Sequence, residues 1–212
     1  MSQSQMQEIT CPKCGKKQFF RVWDSINTME DPGLKEAVRN GEAFSFRCGA
    51  CGASAVLHYN FIYHEPMEKL FVICNADGAD CTAMKETLTA KESAFKDYTK
   101  RIVRSYNDFK EKLLIFDAGF NDKIVEIMKS GIYANVEAHY KDKGIDEIFF
   151  ATNEEGEHGF LLRSHGEMLA AVEFDKALYD ALLEKALETI DALSPADVII
   201  DTEWARAMVE RL

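Results

Sequence analysis

The sequence predicts an α+β protein, and three observations carry that expectation. Two Cys-x-x-Cys-Gly steps are each bordered by strand-like runs in the first quarter of the chain. Near residue 100 the apolar period changes from two residues to three and four. After residue 145 short alternating runs return, and a capped apolar helix follows them.

In chain order, QFFRVW (18–23) and AFSFRC (43–48) read as strands flanking a short helix over 32–40. Asp31 is its expected N-cap, Pro32 lies in its first turn and Gly41 stands just past its end. In VLHYNFIYHE (56–65), Leu57, Tyr59, Phe61 and Tyr63 alternate with Val56, His58, Asn60, Ile62 and His64, the period of a strand. KLFVIC (69–74) is a second strand after a turn near Pro66. The polar stretch NADGADCTAMKETLTAKES (75–93) reads as a linker. Ile102, Tyr106, Phe109, Leu113 and Phe116 then mark a helix ended by Gly119, and Asn121 caps DKIVEIMKS, stopping at Gly131. Together these two form a helical hairpin. IDEIFFAT, HGFLLRS and EMLAAVEF make a three-stranded meander. Asp175 caps a last apolar helix through Leu178, Leu182, Leu183, Ala186, Leu187 and Ile190. The tail from 194 reads equally as strand plus helix or as one more helix. The expected division is residues 1–80, a linker over 81–97, and an acidic α+β domain over 98–212.

With 212 residues, 47% hydrophobic and 29% charged, the chain has the composition of a soluble globular protein. Its longest apolar runs, such as LLIF at 113–116, are too short to cross a bilayer, and MSQSQMQEIT lacks a signal core. A cytoplasmic location without membrane contact is therefore expected. The net charge of −11 falls after residue 74, because residues 1–74 hold eight basic and eight acidic side chains. That balance counts against broad binding to nucleic acid, which needs clustered cations. A small basic spot remains at Lys13, Lys16, Lys17 and Arg21.

The cysteines are the most informative residues. Six cysteines, four of them in Cys-x-x-Cys steps, favour metal or redox chemistry over structural disulfides in such a setting. Zinc takes four thiolates at the corners of a tetrahedron, and a Cys-x-x-Cys turn places two sulfurs within reach of one ion. Gly15 and Gly52 follow the second cysteine of each step, where a positive φ lets amide N–H groups turn toward sulfur. Cys11, Cys14, Cys48 and Cys51 are therefore the expected ligands of one structural Zn2+ in a ribbon-like β domain with the 32–40 helix inserted. Iron in the same ligand set is a second reading, and a dithiol redox pair a third. The redox reading asks for a Cys-x-x-Cys that opens a helix, where the dipole lowers the thiol pKa, and neither step is placed that way.

Cys74 ends an apolar strand and reads as a small buried hydrophobe, while Cys81 lies in polar text. His58 and His64 are six strand residues apart, about 20 Å, too far to share an ion. His139, His158 and His165 form no ligand pattern and read as surface or turn residues. No phosphate loop, nucleophile elbow or dinucleotide fingerprint is present, and no carboxylate pair is singled out as catalytic.

CPKCG, the strand QFFRVW, then FRCGACG with an aromatic strand after it, resembles the CpXC family of prokaryotic proteins over roughly residues 9–130. KLLIFDAGFNDKIVEIMK is similar to the segment that follows the cysteine region in that family. The second step, Cys48-Gly-Ala-Cys51, lacks the proline of the motif. The resemblance implies the same four ligands and a bacterial cytoplasmic setting, and it supplies no reaction. The expected role is a zinc-stabilised module that binds another protein. An enzyme with its site in the C-terminal part is the first alternative, and nucleic-acid binding through the ribbon the second.

Overall fold

The computed structural model describes residues 2–90, 95–139 and 144–212. The chain is mixed α and β, and it divides into two compact units, Met1–Phe109 and Lys110–Leu212.

The first unit is built on a five-stranded sheet of order β1-β2-β5-β6-β7. Strand β1 (Gln3–Thr10) pairs antiparallel with β2 (Lys17–Asn27) along its whole length. Only the end of β2, Ser25–Asn27, pairs onward, parallel to β5 (Phe61–Glu65). The rest of β1 and β2 therefore stands as a two-stranded ribbon with residues 11–16 at its tip. Strand β6 (Leu70–Cys74) lies antiparallel to β5, and β7 (Thr99–Val103) lies parallel to β6. Between β2 and β5 come α1 (Gly33–Arg39) and the hairpin of β3 (Ser45–Arg47) with β4 (Ser54–Val56).

Aromatic rings fill the centre of this unit. The Phe44 ring lies 4.6 Å from Phe61 and 5.0 Å from Tyr106, and Phe109 meets Phe61 edge-on at 4.8 Å. Such tilted and edge-to-face pairs stabilise by about 0.5–1.5 kcal/mol beyond their buried area. Helix α1 is tied to the sheet by Arg39, whose guanidinium donates to the Tyr63 hydroxyl at 2.7 Å and to the buried Glu65 carboxylate at 2.9 Å.

Several elements differ from the sequence expectation. The alternating run 56–65 is divided: β4 pairs with β3, and β5 belongs to the large sheet. Alternation records which side is buried, and Phe61 and Tyr63 are buried as expected, but it does not record the partner strand. Pro32 takes the N-cap position of α1, and no side chain caps it. Gly41 does end the helix, at φ 84°. The stretch read as a linker contains α2 (Thr82–Thr89), and residues 91–94 of it lie outside the described set. Ile102 belongs to β7 and not to the following helix, because the β-branched run TKRIV finds a parallel partner in β6. Residues 98–109 thus belong to the first unit, beyond the expected boundary.

Helix α3 (Tyr106–Asp117) ends at Gly119, whose φ is 73°. Helix α4 (Asp122–His139) is capped by Asn121, which accepts from the Lys123 amide at 3.0 Å. It runs through Gly131 instead of stopping there, since a glycine inside a helix costs only about 1 kcal/mol and Tyr133 and Val136 beyond it are buried. The meander forms a sheet of order β10-β9-β8: β8 (Glu147–Thr152), β9 (His158–Ser164) and β10 (Glu167–Glu173). Asp175 caps α5 (Lys176–Leu193), accepting from Leu178 N at 2.9 Å. The tail resolves as α6 (Thr202–Val209), capped by Asp201. Ile124, Val125, Phe150, Phe160, Ile190 and Met208 are central to the core of this unit. Among the described residues, no helix is long and apolar enough to cross a membrane.

Candidate metal centre

The tip of the β1–β2 ribbon and the tip of the β3–β4 hairpin are built alike. In the first, Gly15 N donates to Cys11 O at 2.9 Å and Cys11 N to Lys16 O at 2.9 Å. In the second, Gly52 N donates to Cys48 O at 2.9 Å and Cys48 N to Ala53 O at 2.8 Å. Gly15 and Gly52 hold φ values of 69° and 71°, and an added Cβ at either would meet nothing within 4 Å. Backbone conformation, and not space, is what requires glycine at both.

The turns face each other. The sulfurs of Cys11, Cys14, Cys48 and Cys51 all lie within 4.8 Å of one another. Across the two turns, Cys11 Sγ is 3.7 Å from Cys51 Sγ, and Cys14 Sγ is 3.7 Å from Cys48 Sγ. A tetrahedron with metal–sulfur bonds of about 2.3 Å has edges of about 3.8 Å. These separations fit such a site and are far longer than the disulfide bond of about 2.05 Å. The four cysteines are free, so the donor set suits one thiophilic ion.

Local electrostatics prepare the sulfurs. The amides of Cys51 and Ala50 turn toward Cys48 and hold its thiol at about 6. The Cys14 amide, against the cost of burial, lowers Cys11 in the same way. Cys51 is lowered by the Ala53 amide, but burial and the facing sulfurs outweigh this and push it up to about 12. Four thiolates cannot share so small a volume without a cation, and a divalent ion supplies that charge.

A small apolar layer seats the site: Cys11, Phe46 and Cys48 are buried, with Ile9, Phe20, Ala53 and Leu57 packed against them. Gln18 joins the two turns, its amide donating to Arg47 O at 2.9 Å and its carbonyl accepting from Gly49 N at 3.0 Å. Sequence reasoning passed over Gln18, because a glutamine within a strand carries no metal-site signal.

The remaining candidates stand apart. Cys74 is buried in β6, where desolvation and then Asp108 push its thiol up to about 12, so it stays protonated. Cys81 occupies the N-cap position of α2. His58 is exposed, and its ring meets Tyr106 edge-on. His64 lies against Phe71, Phe95 and Tyr98, where burial lowers its pKa. His158 pairs with the Thr152 hydroxyl at 3.0 Å, and His165 is exposed in the β9–β10 turn. The His139 side chain lies outside the described residues. Among the described residues, the four cysteines are the group of three or more such side chains placed to hold an ion.

A second concentration of charge was not foreseen. Between α3 and α4, Lys112 meets Asp122 at 3.1 Å and Glu126 at 2.9 Å, and Lys129 meets Glu111 at 2.9 Å and Glu126 at 3.2 Å. Glu111 also accepts from the Phe150 amide at 2.6 Å. All five side chains are buried. None lines the open groove of about 930 Å3 in the same unit, which runs past Phe120, His158, Phe160 and Phe174.

The family model described as CpXC protein matches residues 9–129. No curated protein and no solved structure matches the chain. The matched span takes in both cysteine turns and the Asn121-capped start of α4, more than half of the chain, and the protein belongs to the CpXC family.

Proposed function

We propose that the chain is a zinc-stabilised binding module of the bacterial cytoplasm, in which Cys11, Cys14, Cys48 and Cys51 hold one Zn2+ and the adjoining ribbon contacts another protein. Four thiolates complete the coordination of zinc, so the ion braces the two turns and has no open position of the kind that metal catalysis uses. One observation carries the binding role: the ribbon presents an apolar face beside the site. Met6 and Phe19 are 56% and 67% exposed, and the Arg21 guanidinium lies 5.6 Å from the Trp23 ring centroid. By the β1–β2 register, Met6 faces Arg21, Glu8 faces Phe19 and Ser4 faces Trp23, so these side chains share one surface. Aromatic and arginine side chains on a rigid support are the usual anchors of protein interfaces.

Affinity capture with the intact chain, Phe19→Asp and Cys48→Ser tests this reading. Partners held by the intact chain are expected to be lost from both variants, with Phe19→Asp keeping its zinc. An unchanged set of partners with Phe19→Asp sinks the assignment. Lys17, Phe19, Arg21 and Trp23 also alternate cation and ring, the pattern that stacks bases and neutralises phosphates. Salt-sensitive binding of a labelled single-stranded oligonucleotide, lost with Phe19→Asp, would transfer the same face to nucleic acid.

A further inference from the structure

Strand β1 is an edge strand of a kind that soluble proteins normally protect. It is the outermost strand of the five-stranded sheet, and seven of its eight residues are exposed. An edge presents a row of unpaired N–H and C=O groups, and natural edges blunt it with lysine, proline, bulges or a covering segment. The run QSQMQEIT has no proline and no lysine, a single charge at Glu8, and an irregularity only between Gln3 and Ser4. Among the described residues, the other edges of the two larger sheets are managed. In β7, Arg101, Ile102 and Val103 are buried, and in β8 the Phe150 amide is taken by Glu111. Strand β10 is exposed along its length, but pairing with its own copy about Ala170 would set Glu167 against Glu173.

We propose that two copies of this chain associate through β1, antiparallel and edge to edge about a two-fold axis, making one continuous ten-stranded sheet. The inference rests on reading the first unit as a protein-binding module and adds a second surface to it, the β1 edge, whose partner is a second copy. An antiparallel ladder is complementary to itself, which is what a two-fold interface requires. The charges agree. Keeping the faces of the two sheets continuous pairs residues of equal parity. With Met6 on the axis, Glu8 meets Ser4 of the second copy, and with Gln7 on the axis it meets Met6. In neither register does a like charge stand opposite a like charge. Gln3, Gln5 and Gln7 share the opposite face, where amide side chains hydrogen-bond across the pair. On the face of Met6 and Glu8 the two Met6 side chains come together when Met6 is on the axis, and in both registers the Phe19–Arg21–Trp23 surface is doubled.

Sedimentation of the zinc-loaded full chain, at tens of micromolar, tests this. The expected mass is about 48 kDa, twice the 24.0 kDa chain. The double variant Gln5→Lys, Gln7→Lys sets like charges opposite each other in both registers, so it is expected to sediment as one chain while retaining zinc. In the unaltered protein, β1 amides should exchange more slowly as concentration rises, which checks the interface without any substitution. A 24.0 kDa species with a full equivalent of zinc overturns the pairing and leaves the metal reading standing. A dimer whose β1 amides exchange at a rate independent of concentration also overturns it, because association then uses another surface.

Discussion

Removing the metal, by a strong chelator under reducing conditions or by Cys48→Ser, is expected to unfold the two cysteine turns and their seat while residues 110–212 keep their structure. The layer beneath the site is thin. Its buried members are Cys11, Phe46 and Cys48, and two of those three belong to the four-cysteine group. Ordering the roughly two dozen residues of the turns and flanking strands costs about 1–2 kcal/mol each. Burying the few apolar side chains of the layer gives about 1.5–3 kcal/mol each, too little alone. Structural zinc supplies about 10–16 kcal/mol in small domains, and that binding energy is folding energy. Amides of Cys11, Gly15, Cys48 and Gly52, hydrogen-bonded in the intact turns, should exchange faster by orders of magnitude. Those of α4 and α5 should not change, because their core shares no residue with the layer. Elemental analysis of gently purified protein should give one zinc per chain. Less than half an equivalent, or a single melting of the whole chain on chelation, would contradict this account.

The second large effect is expected at Lys129→Met. Lys129 is buried between Glu111 and Glu126, and its loss leaves two carboxylates in a dry setting with one fewer cation. Breaking a buried ion pair from one side costs about 3–5 kcal/mol. For a unit of this size that lowers the melting temperature by roughly 10–20 °C. The network holds two lysines and three carboxylates, one negative charge too many if all are ionised. Burial alone would push Glu126 up, but Lys112 and Lys129 outweigh it and hold its pKa below the usual 4.5. Burial pushes Glu111 up, and although Lys129 opposes this, its pKa ends above 4.5.

The signs in pH follow. Glu126 binds its proton more weakly folded than unfolded, so it stabilises above its unfolded pKa, and that share is lost as pH falls through the folded value. Glu111 binds its proton more tightly when folded, so its contribution is fully present below the unfolded pKa and disappears as pH rises through the folded one. Glu111→Gln should therefore cost less than Glu126→Gln at pH 7. Adding Glu111→Gln to Lys129→Met should restore part of the loss. Denaturant unfolding measures all four variants. A Lys129→Met protein within 1 kcal/mol of the parent would show the network to be solvated or slack.

What the sequence revealed depended on how local the cause was. The four-cysteine cluster was legible because each turn is specified within five residues, two cysteines and the glycine whose φ is positive. Helix ends at Gly41, Gly119, Asn121 and Asp175 are equally local, and each stands where a single side chain or φ puts it. Strand β1 could not be read that way. Gln, Ser and Glu have little strand preference, and the segment is extended because β2 pairs with it. Strand β7 lies within helical spacing of Tyr106, and only its distant partner β6 decides otherwise. The buried network was hidden for a related reason. Lys112 and Glu126 look like surface residues of an acidic chain until α3 and α4 face each other.

The crossed arrangement of the four sulfurs also decides how the site would fail if oxidation reaches it while the two turns are still assembled. Cys14 and Cys51 are the exposed members and Cys11 and Cys48 the buried ones, so peroxide reaches one exposed thiol in each turn first. A sulfenic acid formed at Cys14 lies 3.7 Å from Cys48 of the opposite turn. Condensation there releases water and joins the ribbon to the hairpin, so damage would staple the two turns together. Oxidised chains would carry the native pairing of the turns in a covalent form, and a thiol reductant would return them to a state able to take up metal again.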